Sequence, residues 1–457
     1  MIRTPARLTL KKVATGILLL LVVIIIGASV YLNSLLPIIT VYAAKNLCSA
    51  VFVSGREQAE VESSDLNFSF ISYTKNRVDN ADMSVRSRFL WGRSKAIYRD
   101  GFGVTLVRGT DEKSLRDFRF PGGIEAAYNR DTVKWPMGDI ISDTITGIDI
   151  AKLESVTGRL IGEDGYGGNA YAFMVIYKGI PVAEAYKPQF TEATPFLSWS
   201  MAKSITNALV GIMVREDGLD ISSTALLPQW VDDGRSNISL NDLMHMQSGL
   251  EWNEDYGNRS DVTVMLHCED DFAEFAYTQD LAYDPGIHWY YSSGNINIVS
   301  YFIRQQFDND NDYYEFPYAK LFHRIGITDA VFEPDASGTF VASSYLYMTA
   351  RDYARFALLY LQDGIFNNER ILPEGWVDYS VTPASASNNG YGSLFWLNRA
   401  GEIPSAPEDM YMCIGHDGQR IFIVPSHDLA VVVLGYSPNG SMDFNSLVGD
   451  ILQTLPE

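Results

Sequence analysis

Apolar and polar positions divide this chain into three textures. The first is a continuous apolar run. No charged residue occurs from Val13 to Leu32, and the uncharged stretch continues through Asn33, Pro37 and Tyr42 to Ala44. Arg3, Arg7, Lys11 and Lys12 precede it. At a helical rise of 1.5 Å, about twenty residues span roughly 30 Å, the thickness of a bilayer core. The pattern predicts a cytoplasmic tail at 1–12 and a transmembrane signal anchor at 13–36. Basic flanks stay inside, so the protein is expected to be single-pass in the inner (cytoplasmic) membrane with the remainder on the periplasmic side. A cleaved signal peptide is the competing reading. Val41 and Ala43 offer a cleavage pattern, but they lie well beyond the apolar run, which favours a retained anchor.

The second texture, over 45–145, is strand-like. Asn67–Tyr73 alternates aromatic and polar residues. Ala96–Tyr98 and Gly103–Val107 flank Asp100-Gly101, a hairpin turn signal. This reads as an accessory β-rich region without a catalytic constellation. The third texture, over 146–457, mixes periods. Ala172–Tyr177 and Ile180–Tyr186 read as a hairpin around Lys178-Gly179. In Ser200–Asp217, apolar residues recur at steps of three and four before Gly218, which predicts a helix with its C-cap. Ser239–Met246 reads as a second helix. Arg420–Val424 and Leu429–Leu434 read as neighbouring antiparallel strands. Strands at both ends with helices between predict an α+β domain whose sheet is closed by distant segments.

Composition narrows the function. With 56 acidic and 35 basic residues the net charge is −21, which argues against nucleic acid and against docking on anionic lipid. Cys48, Cys268 and Cys413 are too few for a disulfide framework. No ligand-like His/Cys spacing suggests a metal, and no cofactor is expected. Asp308–Asp312 lacks the glycine and glutamate of a calcium loop and reads as a solvated loop.

The chemistry begins at Ser198-Trp-Ser200-Met-Ala-Lys203. Three residues apart at a helix start, Ser200 and Lys203 share one face. A serine hydroxyl becomes a nucleophile when a base takes its proton, and an amine can be that base if its pKa is lowered. The helix N-terminus adds positive potential and free N–H groups. Alone, Ser-x-x-Lys is weak. Two further segments sharpen it: Tyr291-Ser-Ser293, and Gly415-His416-Asp417-Gly418-Gln419 leading into a strand.

In that order the three segments resemble the serine β-lactamase and penicillin-binding protein superfamily, in the branch of class C β-lactamases, related esterases and 6-aminohexanoate-dimer hydrolases. The likeness spans roughly 150–450. It implies a β-lactamase/DD-peptidase-like fold, an antiparallel sheet flanked by helices plus a helical subdomain. It also implies roles: Ser200 as the acylated nucleophile, Lys203 and Tyr291 sharing the base function, and the N–H groups of Ser200 and Gln419 as oxyanion donors. Ser293, His416, Asp417 and Gly418 would contact substrate. Ser293 stands where the family often has Asn, and His416-Asp417 replaces Lys-Thr, which helps hold the carboxylate of β-lactams. A small ester or amide without that carboxylate is therefore the expected substrate. The alternative is a silent sensor or scaffold that binds a cell-wall fragment.

Overall fold

The apolar run forms a helix, but the helix does not end where the run ends. In the computed structural model, which describes residues 10–121, 128–142, 146–163 and 165–456, α1 covers Leu10–Phe52 and passes through Pro37. Side chains from Lys12 to Tyr31 are exposed, and this part is long and apolar enough to cross a membrane. Arg3, Arg7 and the domain boundary expected near 145 lie outside the described residues.

From Leu36 onward α1 enters the protein. Val41, Ala44, Leu47 and Cys48 pack against Val85, Ala96 and Val104. The latter belong to an antiparallel meander of β1 (Lys75–Asp79), β2 (Ser84–Phe89), β3 (Gly92–Arg99) and β4 (Gly103–Leu106). The accessory region drawn at 45–145 therefore needs correcting. Its core begins with α1 at Leu36, and its sheet occupies only 75–106. Asn67–Tyr73 is not a strand but ends in a 3₁₀ segment, Ser69–Tyr73. Ile71 is buried there while Phe68, Phe70 and Tyr73 stay exposed. Alternation predicts a strand only if a neighbouring strand accepts the backbone hydrogen bonds, and among the described residues none pairs with this segment. The accessory unit is joined firmly to the rest: Lys45 pairs with Glu333, with side chains 3% and 0% exposed.

The main sheet has six antiparallel strands in the spatial order β7 (Trp396–Leu397), β8 (Tyr411–Ile414), β9 (Arg420–Val424), β10 (Leu429–Gly435), β5 (Ala170–Tyr177), β6 (Ile180–Tyr186). The first hairpin of the domain is thus completed by its last strands, as the pattern predicts. In β10, Leu429, Val431 and Val433 face α2 (Ile150–Ile161) and α7 (Phe444–Leu452), whereas Ala430, Val432 and Leu434 face the larger core containing α6 (Ala350–Leu361). Both faces are covered, so the strand is apolar at every position.

Helix α3 (Met201–Asp217) lies in that larger core, and every side chain from Met201 to Met213 is buried. It ends at Gly218, whose φ of +71° suits a residue without Cβ. Helix α4 (Leu240–Met244) is closed by a capping box of Ser239 and Asp242 and stops two residues before the expected end. The Asp308–Asp312 segment is only partly a loop. Asn309 caps helix α5 (Asp310–Pro317), and Asp310 pairs with Arg304 at 2.9 Å. The three cysteines are free thiols.

Candidate active site

Ser200 caps the N-terminus of α3. Before it, Trp199 holds φ at +45°, a region costly for a bulky residue and found where surrounding structure enforces it. Ser198 supplies part of that restraint, since its N–H donates to the Leu346 carbonyl at 2.8 Å. Gly415 supplies more: a Cβ there would lie 2.3 Å from the Ser198 carbonyl oxygen. The glycine lets the end of β8 approach the nucleophile's loop.

Lys203 lies one turn into α3 and is 1% exposed. Its Nζ is 3.0 Å from Ser200 Oγ, 3.1 Å from Ser293 Oγ and 3.0 Å from the Ser343 carbonyl. Burial lowers its pKa to about 8, against an opposing push from Glu254. A neutral amine has two protons and one lone pair. Donating to Ser343 and Ser293 leaves the lone pair facing the Ser200 hydroxyl, the geometry a general base needs.

Lys203 Nζ sits over the Tyr291 ring, 4.9 Å from the centroid. Burial, then Glu254, hold the phenol well above its ordinary pKa, while the nearby Ser200 hydroxyl pulls it down. The Tyr291 phenol therefore keeps its proton at neutral pH. Its neighbour Tyr290 is exposed.

The third segment packs alongside. Gln419 locks itself to β10, accepting from Gly435 N–H at 3.1 Å and donating to the Gly435 carbonyl. Among the described residues the N–H of Gln419 has only a 3.5 Å contact, to the His416 carbonyl. Gly418 has φ +91°, and a Cβ there would meet Ser437 Cβ at 2.7 Å, so its contribution is the turn. The His416 ring stacks on Tyr256 at 5.2 Å and meets Trp199 edge-on at 5.5 Å. Asp417 adopts φ +55°, its carboxylate lies 3.3 Å from His416 Nε2, and the residue lines a crevice of about 60 Å³ with Arg56, Asp65, Trp199 and Gln419. Burial raises its pKa, with His416 opposing.

Over 159–453 the sequence matches the profile of one family, described as Beta-lactamase. The chain belongs to the beta-lactamase family. Among curated relatives of this beta-lactamase-family serine hydrolase, a 6-aminohexanoate-dimer hydrolase from Paenarthrobacter ureafaciens is 23% identical over 296 residues, covering 59% of this chain and 73% of that protein. Two solved structures share the fold. A hydrolase with promiscuous acyltransferase activity has a TM-score of 0.55 at 14% identity, covering 67% of this chain and 98% of its own. A family VIII carboxylesterase has a TM-score of 0.53 at 14% identity, covering 68% and 99%.

Motif reading missed one residue of the beta-lactamase-family site, Glu254. Its carboxylate accepts from Ser293 N–H at 2.9 Å, from Ser293 Oγ, from Trp252 Nε1 and from Tyr256 Oη at 3.2 Å. It thus holds Ser293 in place to accept from Lys203. No spacing rule reaches from 254 to 203. The signal available was the polar-aromatic cluster Trp252–Tyr256 just after Ser248-Gly249. Because Glu254 raises the Lys203 pKa, Glu254→Gln is expected to move the acid limb of kcat/KM to lower pH. A pH–rate profile on both proteins checks this; an unmoved limb would show that the charge is not felt at Nζ.

Proposed function

We propose that this protein is a membrane-anchored, extracytoplasmic serine hydrolase that cleaves an ester or amide through an acyl-enzyme on Ser200. The observation that carries the reading is a desolvated Lys203 amine 3.0 Å from Ser200 Oγ. In acylation Ser200 Oγ bonds to the substrate carbonyl carbon and its proton passes to Lys203. The carbonyl oxygen, now anionic, is held by the N–H groups of Ser200 and Gln419. As the tetrahedral centre collapses, the C–O or C–N bond breaks and the leaving group takes a proton through Lys203 and Tyr291. Water then attacks the acyl-enzyme with the same groups as base, releasing the carboxylic acid and restoring Ser200.

A neutral substrate is favoured. His416 and Asp417 stand where the family has Lys-Thr, so an imidazole replaces the cation and the Asp417 carboxylate adds negative potential nearby. Retention of the anchor is supported by the packing of α1. Cleavage after Ala43 would remove Ile39 and Val41 from the core of the accessory unit. The basic flank before Val13 supports an extracytoplasmic catalytic domain. The relatives' names, a 6-aminohexanoate-dimer hydrolase and a carboxylesterase, support the reaction class.

The test is fluorophosphonate labelling of the full chain in nanodiscs. The wild type is expected to label and Ser200→Ala to lose all labelling. A folded wild type that stays unlabelled would overturn the reading in favour of a silent binding protein.

A further inference from the structure

A cavity of about 300 Å³ lies between the membrane helix and the catalytic domain. This is within the range of small-molecule sites. One wall is α1, through Leu35, Ile38, Ile39 and Tyr42. The opposite wall is catalytic: Trp199, the residue before the nucleophile, with Tyr256, Leu266 and His416. Tyr256 links the cavity to the reacting groups, since its hydroxyl reaches Glu254 at 3.2 Å and Ser293 Oγ at 3.5 Å. Helix α1 therefore forms one wall of a cavity whose other wall includes the residue next to Ser200.

The outer end of the cavity adjoins the exposed apolar part of α1, which ends at Tyr31. Tyr31, Phe68 and Phe70 line it and are 59%, 40% and 53% exposed. The β2–β3 turn reaches α1 close by, because Trp91 Nε1 donates to Asn33 Oδ1 at 3.0 Å. Leu90 and Trp91 at its tip are exposed. Aromatic side chains of this kind sit at the membrane–water boundary. Cations flank the tip: Arg88 faces Arg93 across β2–β3, and Lys75 faces Arg88 across β1–β2. All three are exposed. Like charges directly opposite are unfavourable in isolation, but suit a face resting on anionic headgroups. The net charge of −21 conceals this local exception.

We propose that the cavity takes the apolar acyl chain of an amphiphilic ester or amide that enters from the bilayer, with the scissile carbonyl presented to Ser200. At a volume per methylene similar to that of a water molecule, it would hold a chain of about ten carbons. The His267 ring lies in the same wall. Its Nδ1 is 2.8 Å from the Thr263 carbonyl, and so carries the ring proton; Nε2 is buried without a hydrogen-bond partner among the described residues. A hydroxyl or amide N–H on the substrate would satisfy it.

This proposal rests on the hydrolase reading, and the experiment separates the two. Full-length protein in nanodiscs containing anionic phospholipid is assayed with p-nitrophenyl acetate and p-nitrophenyl decanoate, beside fluorophosphonate labelling. The decanoate/acetate ratio of kcat/KM is expected to be at least ten-fold above unity in the wild type. It should fall at least ten-fold in Leu35→Trp and in Ile38→Trp, which fill the cavity from the α1 side. Each variant is normalised to its own acetate rate, so differences in folded fraction and in ester partitioning cancel. A wild-type ratio near unity, or ratios unchanged in both variants, would overturn the cavity proposal and leave the hydrolase standing. Absence of both turnover and labelling in the wild type would overturn both.

Discussion

Lys203→Met is expected to lower kcat/KM by about a thousand-fold and to abolish its acid limb. The size follows from losing a positioned general base, which contributes about 10²–10⁴ in rate. The pH dependence follows from the sign of the shift. The base is the neutral amine, so wild-type kcat/KM should rise with pH and level off above an apparent pKa of about 8. Burial is what brings that value down from the ordinary lysine range. Methionine matches the length of the apolar stem and cannot titrate, so any residual rate should lack this limb. The Ser343 carbonyl loses a donor at 3.0 Å, a cost of about 1–3 kcal/mol; unchanged circular dichroism would show that the fold tolerates it. A wild-type limb near pH 8 that persists in Lys203→Met would assign the titration to another group and remove Lys203 from the base role.

The second large effect is on stability. Lys45→Met is expected to destabilise the folded protein by about 3–5 kcal/mol, as for other buried pairs that lose one partner. Glu333 is fully buried and also accepts from Val104 N–H at 2.7 Å and Ser49 Oγ at 3.0 Å. Those two neutral donors cannot replace a charge, and burial already pushes the Glu333 carboxyl above its ordinary pKa. The double variant Lys45→Met/Glu333→Leu is expected to recover more than half of the loss, because an apolar pair leaves no uncompensated charge. Denaturant unfolding of the three proteins in one detergent reads both effects. Equal midpoints for wild type and Lys45→Met would show that the pair does not clamp α1 to the catalytic domain. The clamp bears on function because the same helix forms a wall of the cavity beside Trp199.

Local sequence determined a good deal of this protein. A membrane-length helix, the hairpin of β5 and β6, the β9–β10 pair and the helix that carries Ser200 and Lys203 each depend on periodicity, a turn or a cap within a few residues of one another. The ordered motifs around Ser200, Tyr291 and His416 added family and fold. Only the tertiary structure decided how these parts meet. Ser293 and the Ser343 carbonyl meet Lys203 from distant segments, with Glu254 holding Ser293, and no rule of spacing connects them because each contact is made by chain closure. The same reason explains the accessory unit. Nothing near Lys45 in sequence foretells that its charge is met by Glu333, 288 residues away, or that the apolar N-terminal helix continues inward to form part of the core. Hydrophobic pattern says which faces must be covered. Which distant segment covers them depends on the packing of the whole molecule, and that packing places α1 near Trp199, the residue before Ser200.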